Sequence, residues 1–196
     1  FILCYLVLST FMIFGKEFIY FWVGGEYYPA YAVALVVMIP FTIDVIQNLG
    51  LTILQVVDKY AFRAKMYFIA ALLNIVSTIV LARQFAGFGA ALSTGITMFI
   101  TSGIIMNIYY CKKVGLDIGS FWKNVASIFV RLLPITILGV VANLVFGQTY
   151  SILVFVTKLF GYTIAYCVVG YLLVMNKEEK EIVHRLVFKV VKKERK

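Results

Sequence analysis

The stretch 30–53, AYAVALVVMIPFTIDVIQNLGLTI, decides the fold. It carries a single charged residue, Asp44, in a run long enough for a bilayer crossing, which takes about 20 apolar residues in a helix. Backbone groups in lipid must find partners within the segment or in a closed barrel. A barrel strand would alternate polar and apolar side chains over ~10 residues. This run is continuous, so it reads as a helix.

Five further runs lie on either side: 1 to about 15, about 64–82, 88 to about 110, about 125–146 and 151–175. Together they predict an all-α polytopic membrane bundle of six transmembrane helices. Hydrophobic residues make up 63% of the 196, more than one soluble core of that size needs. Residues 1–175 form the bundle in this reading, and 176–196 a basic tail.

Orientation follows from the connections. Lys16 is the one basic residue between runs 1 and 2, against Glu17 and Glu26. The next connection has Lys59, Arg63 and Lys65, the third Arg83 alone, the fourth Lys112, Lys113 and Lys123, and the fifth none. Basic-rich connections fall on one side, which the positive-inside rule makes cytoplasmic. The tail joins them with eight basic and four acidic residues. Its Ile182, Val183, Leu186, Val187, Val190 and Val191 recur at helical spacing, predicting an amphipathic helix on anionic lipid with the C-terminus cytoplasmic. The net charge of +9 is this pattern, and no nucleic-acid partner is expected from it. Membrane lipids are the expected surroundings. The first run begins at once, without a charged flank or a cleavage site, so it does not read as a signal peptide. The expectation is a C-terminal part of a longer protein.

Cys4, Cys111 and Cys167 show no metal-ligand spacing. No nucleophile elbow, phosphate loop or HExxH motif occurs, so neither a catalytic centre nor a cofactor is expected.

The polar residues inside apolar runs carry the functional reading. Asp44 is costly in lipid unless it faces a partner or a watered cavity. Gln47, Asn48 and Gln55 follow near one helical face. The stripe reads either as a cavity wall with an ion-coupling carboxylate or as interhelical polar glue. Arg131, ahead of Pro134, and Lys158, with Tyr162 and Tyr166 at four-residue spacing, are the two cations expected to answer Asp44. Arg and Lys suit an anionic substrate, and snorkelling to the interface is the other reading. Asn74, Ser77 and Thr78 share a face of run 3. Run 4 opens on small residues, Gly87 to Ala91, and continues with Ser93, Thr94, Thr97 and Thr101, a pattern that suits close packing. Trp22, Tyr27, Tyr28, Phe121 and Trp122 suit interface anchors.

Two motifs add a resemblance. Residues 17–30, EFIYFWVGGEYYPA, resemble the helix–loop–helix of oligosaccharide flippases, with a Gly-x-x-Tyr turn followed by Ala. Residues 85–94, FAGFGAALST, after Asn74, resemble that family's next helix pair. The chain thus resembles the polysaccharide-exporting branch of the multidrug/oligosaccharidyl-lipid/polysaccharide superfamily, most strongly over 11–107. The resemblance implies the last six of about fourteen helices, the C-terminal portion of a two-lobed transporter whose N-terminal lobe precedes it. It implies translocation of a polyprenyl-diphosphate-linked oligosaccharide by alternating access. On that reading Arg131 and Lys158 are candidate diphosphate or acidic-sugar contacts. Asn74, Gln47 and Asn48 are candidates for sugar hydroxyls, and Asp44 for a coupling ion. A multidrug or cation antiporter of the same superfamily and a membrane enzyme of envelope synthesis are the alternatives.

Overall fold

A computed structural model describes residues 1–147, 151–176, 178–181 and 184. The expected amphipathic tail and the turn after Gly147 lie largely outside them. The described residues are helical, with no strand among them. The helices are α1 (Ile2–Val23), α2 (Pro29–Ile46), α3 (Asn48–Val56), α4 (Tyr60–Met98), a short α5 (Asn107–Tyr109), α6 (Ile118–Phe146) and α7 (Ile152–Val169). Phe99–Met106, Tyr110–Val114 and Gly170–Val174 are π-helical and extend their neighbours. Several of these helices are long and apolar enough to cross a membrane.

Glycine and proline punctuate the chain. Gly24, at φ 98°, ends α1, and its N–H reaches back to the carbonyls of Ile19 and Tyr20. Pro29 starts α2 at the position where a missing N–H costs nothing. Pro40, inside α2, leaves the carbonyl of Val36 without its usual donor four residues on. Asp117 caps α6 by accepting from the Ser120 N–H at 3.0 Å.

Three boundaries differ from the sequence reading. α1 runs eight residues beyond Gly15, so Lys16 and Glu17 lie in a helix rather than a loop. The run 30–53 breaks at Gln47 (φ −87°, ψ 3°), which separates α2 from α3. Arg63 and Lys65 lie inside α4.

α4 is not one rod. Its regular backbone is interrupted at Ala86 (φ 49°, ψ −133°). Beyond it the partners run in opposite directions: Ser77 with Ser93 (2.7 Å), Asn74 with Thr94 (3.4 Å), Tyr67 with Ser102 (2.8 Å) and Arg63 with Tyr110 (3.1 Å). Residues 60–85 and 87–114 therefore form an antiparallel hairpin. Gly89 makes the reversal tight, since a Cβ there would overlap the Leu81 carbonyl.

Two helical groups result. α1, α6 and α7 enclose Tyr5, Phe14, Leu132, Tyr162 and Tyr166. Hydrogen bonds cross that group from Tyr5 to Thr136 (3.1 Å), from Tyr162 to Ser9 (2.8 Å) and from Tyr166 to the Ile2 carbonyl (2.8 Å). α2 packs on both limbs of the hairpin, with Leu54, Met106 and Tyr110 buried at one end. The groups meet along α1 and α2, where the Tyr31 hydroxyl donates to the Met12 carbonyl at 2.7 Å. The outside is apolar: Leu3, Leu144, Val145 and Phe146 are each more than three-fifths exposed. Apolar surface on that scale suits lipid rather than water. In lipid, helices associate through close packing and polar contacts rather than through hydrophobic burial.

Candidate functional site

Asp44 is the centre of the larger polar network. It lies on α2 one turn before the break at Gln47. Its Oδ1 accepts from the Ser102 hydroxyl at 2.7 Å, from the Tyr67 hydroxyl, and from Arg63 Nη2 at 3.5 Å. Arg63 also donates to Tyr67 (3.2 Å) and Tyr110 (3.1 Å), and its guanidinium lies 4.8 Å from the centre of the Tyr67 ring. The Asp44 and Arg63 side chains are 19% and 10% exposed, so the pair is largely screened from its surroundings.

The protons in this cluster are fewer than the contacts. Tyr67 and Ser102 each own one hydroxyl proton. When both are given to Asp44, the 2.8 Å contact between the two hydroxyls has none. One more proton on the carboxylate would complete all three contacts. Oδ1 of Asp44 thus gathers two hydroxyls and a guanidinium nitrogen in one cluster.

The π-helical backbone at Phe99–Met106 builds one wall. Its wide turn leaves the neighbours Thr101 and Ser102 both buried. π-turns of this kind recur at functional sites. A cavity of about 170 Å³ opens beside them, lined by Tyr67, Asn74, Thr94, Thr97, Thr101 and Ser102. Asn74 closes its far end, accepting from Ser93 (2.7 Å) and Thr78 (3.2 Å). At the Arg63 end, Gln47 donates to Asn107 at 3.3 Å and Trp122 donates to the same oxygen at 3.3 Å. Polar groups thus run almost unbroken along the hairpin.

A second ion pair lies in the other helical group. Lys158 of α7 donates to Glu17 Oε1 of α1 (3.3 Å), to Asn143 Oδ1 of α6 (3.3 Å) and to the Gly147 carbonyl (2.8 Å). Asn143 in turn donates to the Ile13 carbonyl at 2.9 Å.

The expected partners of Asp44 are corrected here. Arg63 answers it, whereas Lys158 belongs to Glu17, and Arg131 is exposed and donates to the Leu173 carbonyl at 3.3 Å. Asp44, Gln47 and Asn74 do line one polar path. Asn48 does not join them: the break at Gln47 turns it outward, and it is exposed, as is Gln55. Arg63, Tyr67, Ser102, Asn107, Glu17 and Asn143 are the residues that sequence reasoning missed. The Arg63–Tyr67 spacing of four was the available signal. Among the described residues no group of three or more His, Cys, Asp and Glu gathers to hold a metal.

Compared with family models, curated proteins and solved structures, the chain matches none of them.

Proposed function

We propose that this chain is part of a membrane flippase that moves a polyprenyl-diphosphate-linked oligosaccharide across the cell membrane, driven by uptake of a proton or small cation at Asp44. The observation that carries the transport reading is the proton-poor triangle of Asp44, Tyr67 and Ser102 against Arg63, inside an otherwise apolar bundle. An ion pair inside an apolar bundle is costly in lipid, and such groups mark substrate or ion pathways by default. The saccharide substrate rests on the two motifs at 17–30 and 85–94, the first of which includes the turn that separates α1 from α2.

On this reading the chain supplies the last six of about fourteen spans, most of the second lobe, with the Arg63 end and the C-terminus cytoplasmic, and the first lobe closes the pathway. A sugar-diphosphate head group cannot enter hydrocarbon bare, and rocking of lobes would expose it to each side in turn. Arg131 and Lys158 remain candidate contacts for the diphosphate. Lys158 would have to exchange Glu17 for it. The second reading is a cation antiporter of the same superfamily, favoured by the same triangle.

The test is translocation of a fluorescent polyprenyl-diphosphate oligosaccharide by the full protein in sealed vesicles under a proton or sodium gradient. Gradient-dependent translocation, slowed roughly tenfold (1.4 kcal/mol on the barrier) in Asp44→Asn, is expected. Gradient dissipation without lipid movement would select the antiporter. Neither event would overturn transport.

A further inference from the structure

Thr101 departs from the habit of this chain's threonines. Thr42, Thr94, Thr136 and Thr163, all in regular α-helix, each give their hydroxyl proton to the carbonyl four residues back, at 2.8–3.2 Å. Thr101 lies instead in the wide turn of Phe99–Met106, where the backbone bonds reach five residues back. Among the described residues its hydroxyl has no partner, although the residue is only 4% exposed. Glu17 Oε2 is the one unpartnered side-chain nitrogen or oxygen there that is sealed on every side, so the Thr101 hydroxyl keeps an open face. The cavity of about 170 Å³ lies against Thr101.

Thr97, one turn earlier, lines the same cavity and is likewise without a partner among the described residues. Tyr67, Asn74, Thr94 and Ser102 complete a wall of hydroxyls and an amide drawn from both limbs of the hairpin, and no lining residue is charged. A buried hydroxyl left unanswered costs its desolvation, and a lipid tail answers none. The cavity, at about 170 Å³, is small against ligand pockets, which run from roughly 300 Å³ upward. It has room for several waters, each taking ~30 Å³ in the liquid and wanting about two to four polar partners.

We propose that this cavity holds a file of ordered waters, one of them bonded to the Thr101 hydroxyl. The file runs inside the hairpin from Tyr67 and Ser102, the partners of Asp44, to Asn74. The water site stands on the packing and does not depend on the transport reading. On that reading it is the route by which the coupling ion reaches Asp44.

The test is X-ray radiolytic labelling of the full protein in nanodiscs, in which hydroxyl radicals made from bound water oxidise the side chains beside it. Met98 lines the cavity and is the reporter. Met38 lines an almost wholly apolar cavity between α1, α2 and α7 and is the dry control. Met98 should be oxidised several-fold faster than Met38. Ala70→Leu, which fills the cavity from the 60–85 limb, should bring the two rates together. Thr101→Val keeps nearly the same shape and removes no hydrogen bond within the described residues. With water bound to the hydroxyl it should lower Tm, whereas in a dry cavity it would raise Tm by removing an unanswered buried group. Should Ala70→Leu fail to fold, slower labelling of Met98 in Thr101→Val takes its place. Met98 labelled no faster than Met38, labelling unchanged by filling the cavity, or a Tm that Thr101→Val leaves unchanged or raises, overturns the proposal. No ion gradient or lipid substrate is present, so its failure and that of the transport reading are told apart.

Discussion

Gly95 sits directly on the carbonyl of Val36: a Cβ built at Gly95 would come within 2.6 Å of that oxygen. The same carbonyl is the one Pro40 leaves without its helical donor. A proline in one helix and a glycine in the next thus meet at a single point, where a Cα–H can approach an exposed oxygen.

Gly95→Ala should therefore cost about 1–3 kcal/mol, since a backbone must move to admit the methyl. Gly87→Ala is the control. Nothing lies within 4 Å of a Cβ there, and the change should stay within about 0.5 kcal/mol. Thermal unfolding of both variants in nanodiscs checks the contrast.

Arg63→Gln should be far more damaging than loss of either hydroxyl. It removes the guanidinium that faces the Asp44 carboxylate, a change of about 3–5 kcal/mol for a buried pair. Ser102→Ala removes one interhelical hydrogen bond, worth about 0.6 kcal/mol in membrane proteins. The double variant Asp44→Asn, Arg63→Gln should recover most of the loss. Additive losses in that cycle, measured by unfolding, would mean that the two side chains do not act as a pair.

Lys158→Met should destabilise by about 3 kcal/mol through the stranded Glu17 carboxylate. Glu17→Gln on that background should restore more than half. Limited proteolysis between α6 and α7 provides the readout, because Lys158 holds the Gly147 carbonyl as well.

Asp117 gives the chain a pH response outside the membrane-spanning segments. Its carboxylate accepts from the Ser120 hydroxyl at 2.6 Å and from the Ser120 N–H at 3.0 Å. The side-chain hydrogen bond first, and the backbone one second, hold its pKa below the ordinary 3.8. With the folded value depressed, the cap stabilises α6 fully above the unfolded pKa and loses that stabilisation as pH falls through the folded one. Amide exchange at the start of α6 should rise over that acidic range in the wild type. In Asp117→Asn, which caps without titrating, it should stay flat.

The helical class was legible because long apolar runs leave lipid-spanning helices as the simplest outcome, and the breaks at Gly24 and Ala86 fall near the expected turns. Asp44, Gln47 and Asn74 were legible as polar residues in apolar runs. Their partners were not. A charge near the edge of a run looks the same whether it flanks the membrane or turns inward, so Arg63 and Glu17 were read as loop charges. Lys158 stood out by its depth, but pairing across 141 residues leaves no local pattern. Asn48 was misplaced because a single helical period was carried through the break at Gln47.

The wide turn at Phe99–Met106 also sets how this chain tolerates a change of length. In an ordinary helix, deleting one residue swings everything beyond it by about 100°. A π-turn is a helix already carrying a surplus residue. A chain one residue shorter within 99–106 would close to plain α-helix and leave Asn107 and Tyr110 facing Gln47 and Arg63 as before. The same deletion within 60–85 would turn Arg63 or Asn74 away from its partners.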